Sequence, residues 1–104
     1  MTAAEFFESL PGRFHADRAT GVEAAFQFVL TGDGGGTWHA IVHEGTCTVA
    51  VGEHPAPTIA ITVSAENWLK IVAGKMDAQT AFMLGRLKLK GDIGLAMRLR
   101  SLFF

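Results

Sequence analysis

No apolar run in this chain approaches the ~18 consecutive residues that span a bilayer, so no membrane-crossing helix is expected. Cysteine is nearly absent. The single Cys47 leaves no internal disulfide, which fits a reducing, cytoplasmic setting. Net charge is also nearly absent, at −1 for 104 residues, and charged residues make up 18% against 49% hydrophobic. A disordered tail or a basic nucleic-acid-binding protein has a different balance, so no nucleic-acid partner is expected. The first ten residues, MTAAEFFESL, carry neither a basic n-region nor an apolar h-region, so no secretory signal is expected. What remains is a chain of one-domain length, residues 1–104, with enough apolar residues to bury a core.

The clearest stretch runs from Ser64 to Leu102. Ser64 suits an N-cap and Glu66 the first helical turn, and Trp68, Leu69, Ile71 and Val72 form an apolar face that Gly74 closes. Asp77 then caps a short helix carrying Ala81, Phe82, Met83 and Leu84, ended by Gly85. Leu87 and Leu89 alternate with Arg86, Lys88 and Lys90, the period of a strand with one buried face. Asp92 caps a last helix from Ile93 to about Leu102.

Upstream, Thr2 and Glu5 make a capping box for a helix over Ala3–Leu10, stopped by Pro11 and Gly12. Val22–Leu30 alternates as a half-buried strand, and Gly32–Gly36 turns the chain. Strands follow over Thr37–Glu44, Thr46–Val51 and Thr58–Val63, the first two joined by a tight Glu44-Gly45 turn. A strand meander followed by segregated helices argues for an α+β fold, a five-stranded sheet with helices over one face. The later helices offer more apolar surface than one sheet face needs, and much of it is Met and Phe. A ligand cavity between the layers would use that surplus.

Charge is unevenly placed. Two basic against seven acidic residues precede Ser64, net −5, and seven basic against three acidic residues follow, net +4. The basic half is either a solvated face or one steered toward anionic headgroups or phosphates.

Catalytic and metal chemistry find no pattern here. His39 and His43 are four apart on a strand, roughly 13 Å, too far for one ion. His15 near Asp17 lacks a nucleophile in sequence, and His54 sits in a proline loop. The glycine run leads into a strand rather than a helix, so it is no phosphate cradle. Cys47 reads as a small buried hydrophobe in mid-strand. No enzyme activity, catalytic residue, metal or cofactor is expected.

In order along the chain, Phe26-Gln27-Phe28-Val29-Leu30-Thr31-Gly32, Trp38, Glu44-Gly45, Pro57 and Ser64-x-x-x-Trp68 resemble the sterol carrier protein 2 (sterol-binding, nonspecific lipid-transfer) domain family. The most specific block is Gly74-Lys75-Met76-Asp77 with Ala81-Phe82-Met83-Leu84-Gly85-Arg86 through Gly91-Asp92, and Gly94-Leu95-Ala96-Met97-Arg98-Leu99 completes it. The resemblance covers nearly all of the chain from Leu10 onward. It implies a five-stranded mixed, mostly antiparallel sheet under about four to five helices, with a hydrophobic tunnel between the layers. It also implies a fatty acid, fatty acyl-CoA, sterol or other lipid as ligand, for carriage or presentation.

The implied tunnel wall is Phe26 and Phe28 on the first strand, Trp68, Leu69 and Val72 on the next helix, and Phe82 and Met83. Leu95, Leu99, Leu102 and Phe103 on the last helix complete it. The chain ends Leu102-Phe103-Phe104, without the targeting tripeptide of peroxisomal members. Its terminal phenylalanines are left either exposed or buried against a partner subunit, which makes a homodimer one expectation. Arg86, Lys88 and Lys90 on one strand face suit transient contact with an anionic membrane surface. The alternative function is an accessory domain of the same fold, docking through its apolar C-terminal helix.

Overall fold

Alternation of apolar and polar residues decides which face of the sheet is covered. The computed structural model describes residues Met1–Phe104. Its elements are α1 (Ala3–Arg13), a 3-10 turn (Ala16–Arg18), β1 (Ala24–Thr31), β2 (Gly36–His43), β3 (Thr46–Val51) and β4 (Ile59–Ser64). These are followed by α2 (Ala65–Val72), α3 (Ala78–Met83), β5 (Leu87–Gly91) and α4 (Ile93–Phe103). The strands form one sheet in the order β3-β2-β1-β4-β5. The β1–β4 pair is parallel and the other three pairs are antiparallel, so the fold is the expected α+β arrangement of a mixed sheet with four α-helices.

On the helix side of the sheet Phe26, Phe28 and Leu30 of β1, Trp38, Ala40 and Val42 of β2, and Ile59, Ile61 and Val63 of β4 are buried. Their sequence neighbours Gln27, Val29, His39, Ile41, Ala60 and Thr62 are only half-buried, as the period of two requires. The parallel pairing needs a long crossing from edge strand β3 to the far side of β1, and the Pro55–Pro57 loop makes it. Three hydrogen bonds pin that crossing: His54 N–H to Gln27 Oε1 (2.8 Å), Thr58 N–H to Ala25 O (2.8 Å) and Ala25 N–H to Thr58 Oγ1 (3.0 Å).

The helix starts follow their caps. The Thr2 side chain accepts from Glu5 N–H (3.1 Å) while Glu5 accepts from Thr2 N–H (2.8 Å), and Ser64, Asp77 and Asp92 accept from Asn67, Thr80 and Leu95 N–H. Two ends follow their glycines. Gly74 and Gly85 sit at φ +77° and +75°, and Lys75 and Arg86 N–H reach back to Lys70 and Ala81 O (both 2.8 Å). A left-handed residue closes a helix in this way, and glycine bears it without a Cβ clash.

Strand β1 begins at Ala24 rather than Val22 and β2 and β4 are displaced by one residue, but the larger difference is at the end of the first helix. Helix α1 does not stop at Pro11 but continues to Arg13. Proline there forfeits one N–H in the last turn only, and Arg13 Nε donates to Ser9 Oγ (2.9 Å), which itself donates to Phe6 O (2.7 Å). The core beneath α1 is largely aromatic: Phe6, Phe7, Phe28 and Trp68 are each 1% exposed or less.

Candidate functional site

Between α2, α3, α4 and the β4–β5 side of the sheet lies a cleft of about 750 Å³, and 14 of its 18 lining residues are hydrophobic. Ile61 of β4 with Leu87 and Leu89 of β5 form its floor. Trp68, Ile71 and Val72 of α2 form one wall, and Met76, Ala78 and Phe82 carry that wall into α3. The opposite wall is α4 with its last residue: Ile93, Ala96, Met97, Leu99, Arg100 and Phe104. The base is closed and the rim is open: Ile61 and Trp68 are 1% exposed, whereas Phe82 is 46% and Met97 77% exposed.

The polar residues of the cleft have limited roles. Asp77 Oδ2 accepts from both Thr80 N–H and Thr80 Oγ1 (3.0 Å each), and these bonds, aided by the Arg100 charge, hold its carboxyl below the usual range. Asp77 is thus committed to capping α3. Arg100 is the one cation of the lining, it makes no ion pair, and its side chain is exposed at the rim.

The four histidines and Cys47 lie away from the cleft. His39 Nδ1 is 2.8 Å from Gly52 O, His54 Nδ1 accepts from Ala56 N–H (3.0 Å), and His43 Nδ1 is 2.6 Å from the Glu23 carboxylate. His15 lies in the connection after α1. Burial pushes the Cys47 thiol up to about 11, far from a nucleophile's range. No group of three or more His, Cys, Asp and Glu side chains is placed to hold a metal ion.

Of the residues expected on the wall, Trp68, Val72, Phe82 and Leu99 line the cleft. The others lie elsewhere. Phe26 and Phe28 are closed into the core, where Phe26 meets Phe103 edge-on (5.7 Å) and Phe28 packs at 5.0 Å from Phe7 and 5.6 Å from Trp68. Leu102 and Phe103 are buried in that same core, 0% and 1% exposed, because the end of α4 is tied down by a 2.8 Å bond from His15 N–H to Leu102 O. Phe103 is therefore neither free nor waiting for a partner subunit. Phe104 turns to the cleft and is 40% exposed. Leu95 packs against the core, Met83 is 77% exposed outside the cleft, and Leu69 borders a shallow depression near Gly32–Gly34.

Sequence reasoning missed Ile93, Ala96, Met97, Arg100 and Phe104. Their spacing of three, one, three and four traces one helical stripe, a signal that was available. Of the leucines expected on this helix, Leu99 does reach the cleft, whereas Leu95 and Leu102 serve the core. On β5 the alternation read correctly: Leu87 and Leu89 face the cleft, while Lys88 and Lys90, paired with Thr62 and Ala60, take the other face.

The architecture is thus a mixed sheet covered by helices, with an apolar cleft opening between the layers. The model of the SCP-2 sterol transfer family matches residues 7–104, and the chain belongs to that family. It is 30% identical over 99 residues to hydroxysteroid dehydrogenase-like protein 2 of Xenopus tropicalis, covering 94% of this chain but only 24% of that protein. Among solved structures it is similar to the stereoselective inverting sec-alkylsulfatase Pisa1 from Pseudomonas sp., with TM-score 0.86 and 26% identity over 99% of this chain and 16% of that one. It is also similar to palmitated SCP2L2 from Aedes aegypti, with TM-score 0.74 and 26% identity over 97% of this chain and 93% of that one. The chain thus spans about a quarter of the length of the curated relatives it matches. No helix is long and apolar enough to cross a membrane.

Proposed function

We propose that residues 1–104 act as one lipid-binding domain that holds an acyl chain or a comparable apolar skeleton in the cleft and carries or presents it. The observation that carries this reading is the cleft itself: about 750 Å³, apolar on 14 of 18 lining residues, and closed at its base by Trp68 and Ile61. Small-molecule sites typically occupy about 300–1,000 Å³ and are mostly apolar. A sixteen-carbon chain burying ~0.8 kcal/mol per methylene gains about 12 kcal/mol gross, and ordering costs remove much of it. The palmitated Aedes aegypti relative supports an acyl ligand.

Within this reading Trp68, Val72, Phe82 and Leu99 contact the ligand together with Ile71, Leu89, Met97 and Phe104. Met76 and Met97 let the wall repack around varied skeletons, which favours fatty acids, acyl-CoAs and sterols alike over one exclusive ligand. The domain itself carries no chemistry. Where a relative is named for a dehydrogenase or a sulfatase, a domain of this kind would hold an apolar molecule for the rest of that protein.

The exposed rim supports a second use of the same surface. Phe82, Met83, Leu84, Ile93, Met97 and Phe104 are each at least 40% exposed, and such a patch also suits docking on a partner protein or a second copy. Native mass spectrometry of freshly purified protein, with organic extraction of the same sample, separates the two. A hydrophobic molecule that leaves on extraction supports the lipid reading. A clean apo mass with no uptake of fluorescent fatty acid or acyl-CoA abandons it for docking.

A further inference from the structure

We infer that the end of α3, Phe82-Met83-Leu84, dips into an anionic bilayer surface and sets the mouth of the cleft against it, so that a lipid passes between bilayer and cleft without crossing water. The inference rests on the lipid-binding reading above. Phe82 lines the cleft, but Met83 and Leu84, 77% and 62% exposed, do not. A lipid that filled the cleft would leave both in water, so ligand binding does not account for them. The opposite lip of the mouth is bare as well, with Ile93 and Met97 of α4 exposed. Large apolar side chains gathered in this way at the surface mark an interaction site.

The shape of the patch selects a fluid partner. Helix α3 has six residues, and Ala81 is the one that is buried. At about 100° per residue, Phe82, Met83 and Leu84 fan through roughly 200° around the helix end. A protein groove reads a helix through anchors at i, i+3, i+4 and i+7 along one side, and this helix is too short to present them. Acyl chains at a bilayer surface wrap an apolar tip whatever its outline.

The charges around the tip select an anionic surface. Lys75 stands shortly before α3, Arg86 two residues after Leu84, and Arg100 on the α4 wall of the cleft. All three are exposed and none is in an ion pair. Asp77, the one acidic residue of the lining, is bound to Thr80 N–H and Thr80 Oγ1. An apolar tip with cations about it matches a bilayer, where anionic headgroups overlie hydrocarbon. Two copies docked tip to tip would instead bring the same three cations face to face, which disfavours self-association.

The test places a tryptophan at the tip. Leu84→Trp is mixed with vesicles of chain-brominated phosphatidylcholine containing about one-third phosphatidylserine. The native Trp38 and Trp68 are buried, out of reach of the bromines. The new indole should shift its emission to the blue and be quenched, whereas Thr48→Trp, on the other face of the sheet, should do neither. Met83→Ser with Leu84→Ser should weaken vesicle association about tenfold and keep uptake of a soluble fluorescent fatty acid, because neither residue lines the cleft. An unquenched Leu84→Trp, or vesicle association of the double variant equal to wild type, overturns the inference while lipid uptake stands. Self-association of the wild type that the double variant abolishes, with no quenching on vesicles, overturns it in favour of a second copy. A wild type that takes up no fatty acid overturns the lipid reading and this route together. Should the double variant fail to fold, the quenching decides alone.

Discussion

The ring of Phe7 stacks on the indole of Trp38, 4.6 Å between centroids and 14° between planes, and this contact fastens α1 to the sheet. Phe7 also lies 5.0 Å from Phe28 and 6.2 Å from Trp68, so a single side chain of the first helix touches β1, β2 and α2. Removing it opens a cavity where three elements meet. Phe7→Ala should cost about 3–5 kcal/mol, read as a lowered urea midpoint with little change in slope. A loss below about 1 kcal/mol would mean that α1 is peripheral to the core.

His43 and Glu23 provide a pH-dependent contact at the β2–β3 hairpin. Their side chains are 2.6 Å apart, and Glu44 lies 3.6 Å from the other ring nitrogen. The bond to Glu23 and the two negative charges raise the histidine above its ordinary 6.5. A group raised in the folded state contributes stability that is fully present below its unfolded value and lost as pH rises through the folded one. His43→Gln should therefore lower the urea midpoint relative to wild type at pH 6, and the gap should close by about pH 9. Because the pair is exposed the gap is small; a gap that widens with pH contradicts the assignment.

The division of labour in α4 shows where sequence stops short of structure. The caps, the glycine stops, the alternation on β1, β2 and β4 and the two-faced β5 were all legible, because each is set by residues a few positions apart. The topology that makes β1 and β4 parallel was not, since it depends on where the proline loop crosses. Nor was the choice between the two apolar stripes of α4. Leu95 and Leu102 are as apolar as Ile93, Met97 and Phe104, and only the anchoring of Leu102 and Phe103 in the core turns the second set toward the cleft. Phe26 and Phe28 misled for the same reason. A large apolar side chain on the covered face can line a cavity or fill a core, and Phe28 fills the core between the rings of Phe7 and Trp68.

Lys88 and Lys90 project from the face of β5 opposite Leu87 and Leu89, so the basic edge and the cleft lie on opposite sides of one strand. Membrane attraction and ligand binding should then be separable. Lys88→Glu with Lys90→Glu should weaken association with vesicles containing anionic lipid, and raising salt to about 0.5 M should do the same to wild type. Uptake of a soluble fluorescent fatty acid should be unaffected in the double variant. Salt-independent vesicle association, or loss of uptake, would assign these lysines another role.

Ala78 offers the most direct way to close the cleft. It lines the cavity at the first turn of α3 and is exposed, so a large side chain there displaces solvent rather than core. Ala81, three residues on, is 1% exposed, and enlarging it would overpack the contact of α3 with β5 instead. Ala78→Trp should reduce fatty-acid uptake about tenfold or more, while the urea midpoint stays within the range of surface substitutions, about 0.5 kcal/mol. Thr48→Trp, at an exposed position of β3 on the other face of the sheet, controls for added aromatic surface and should leave uptake unchanged. If both variants bind as wild type does, the ligand does not occupy this cleft. If only Ala78→Trp fails while keeping its stability, the space between α2, α3 and α4 is where the lipid resides.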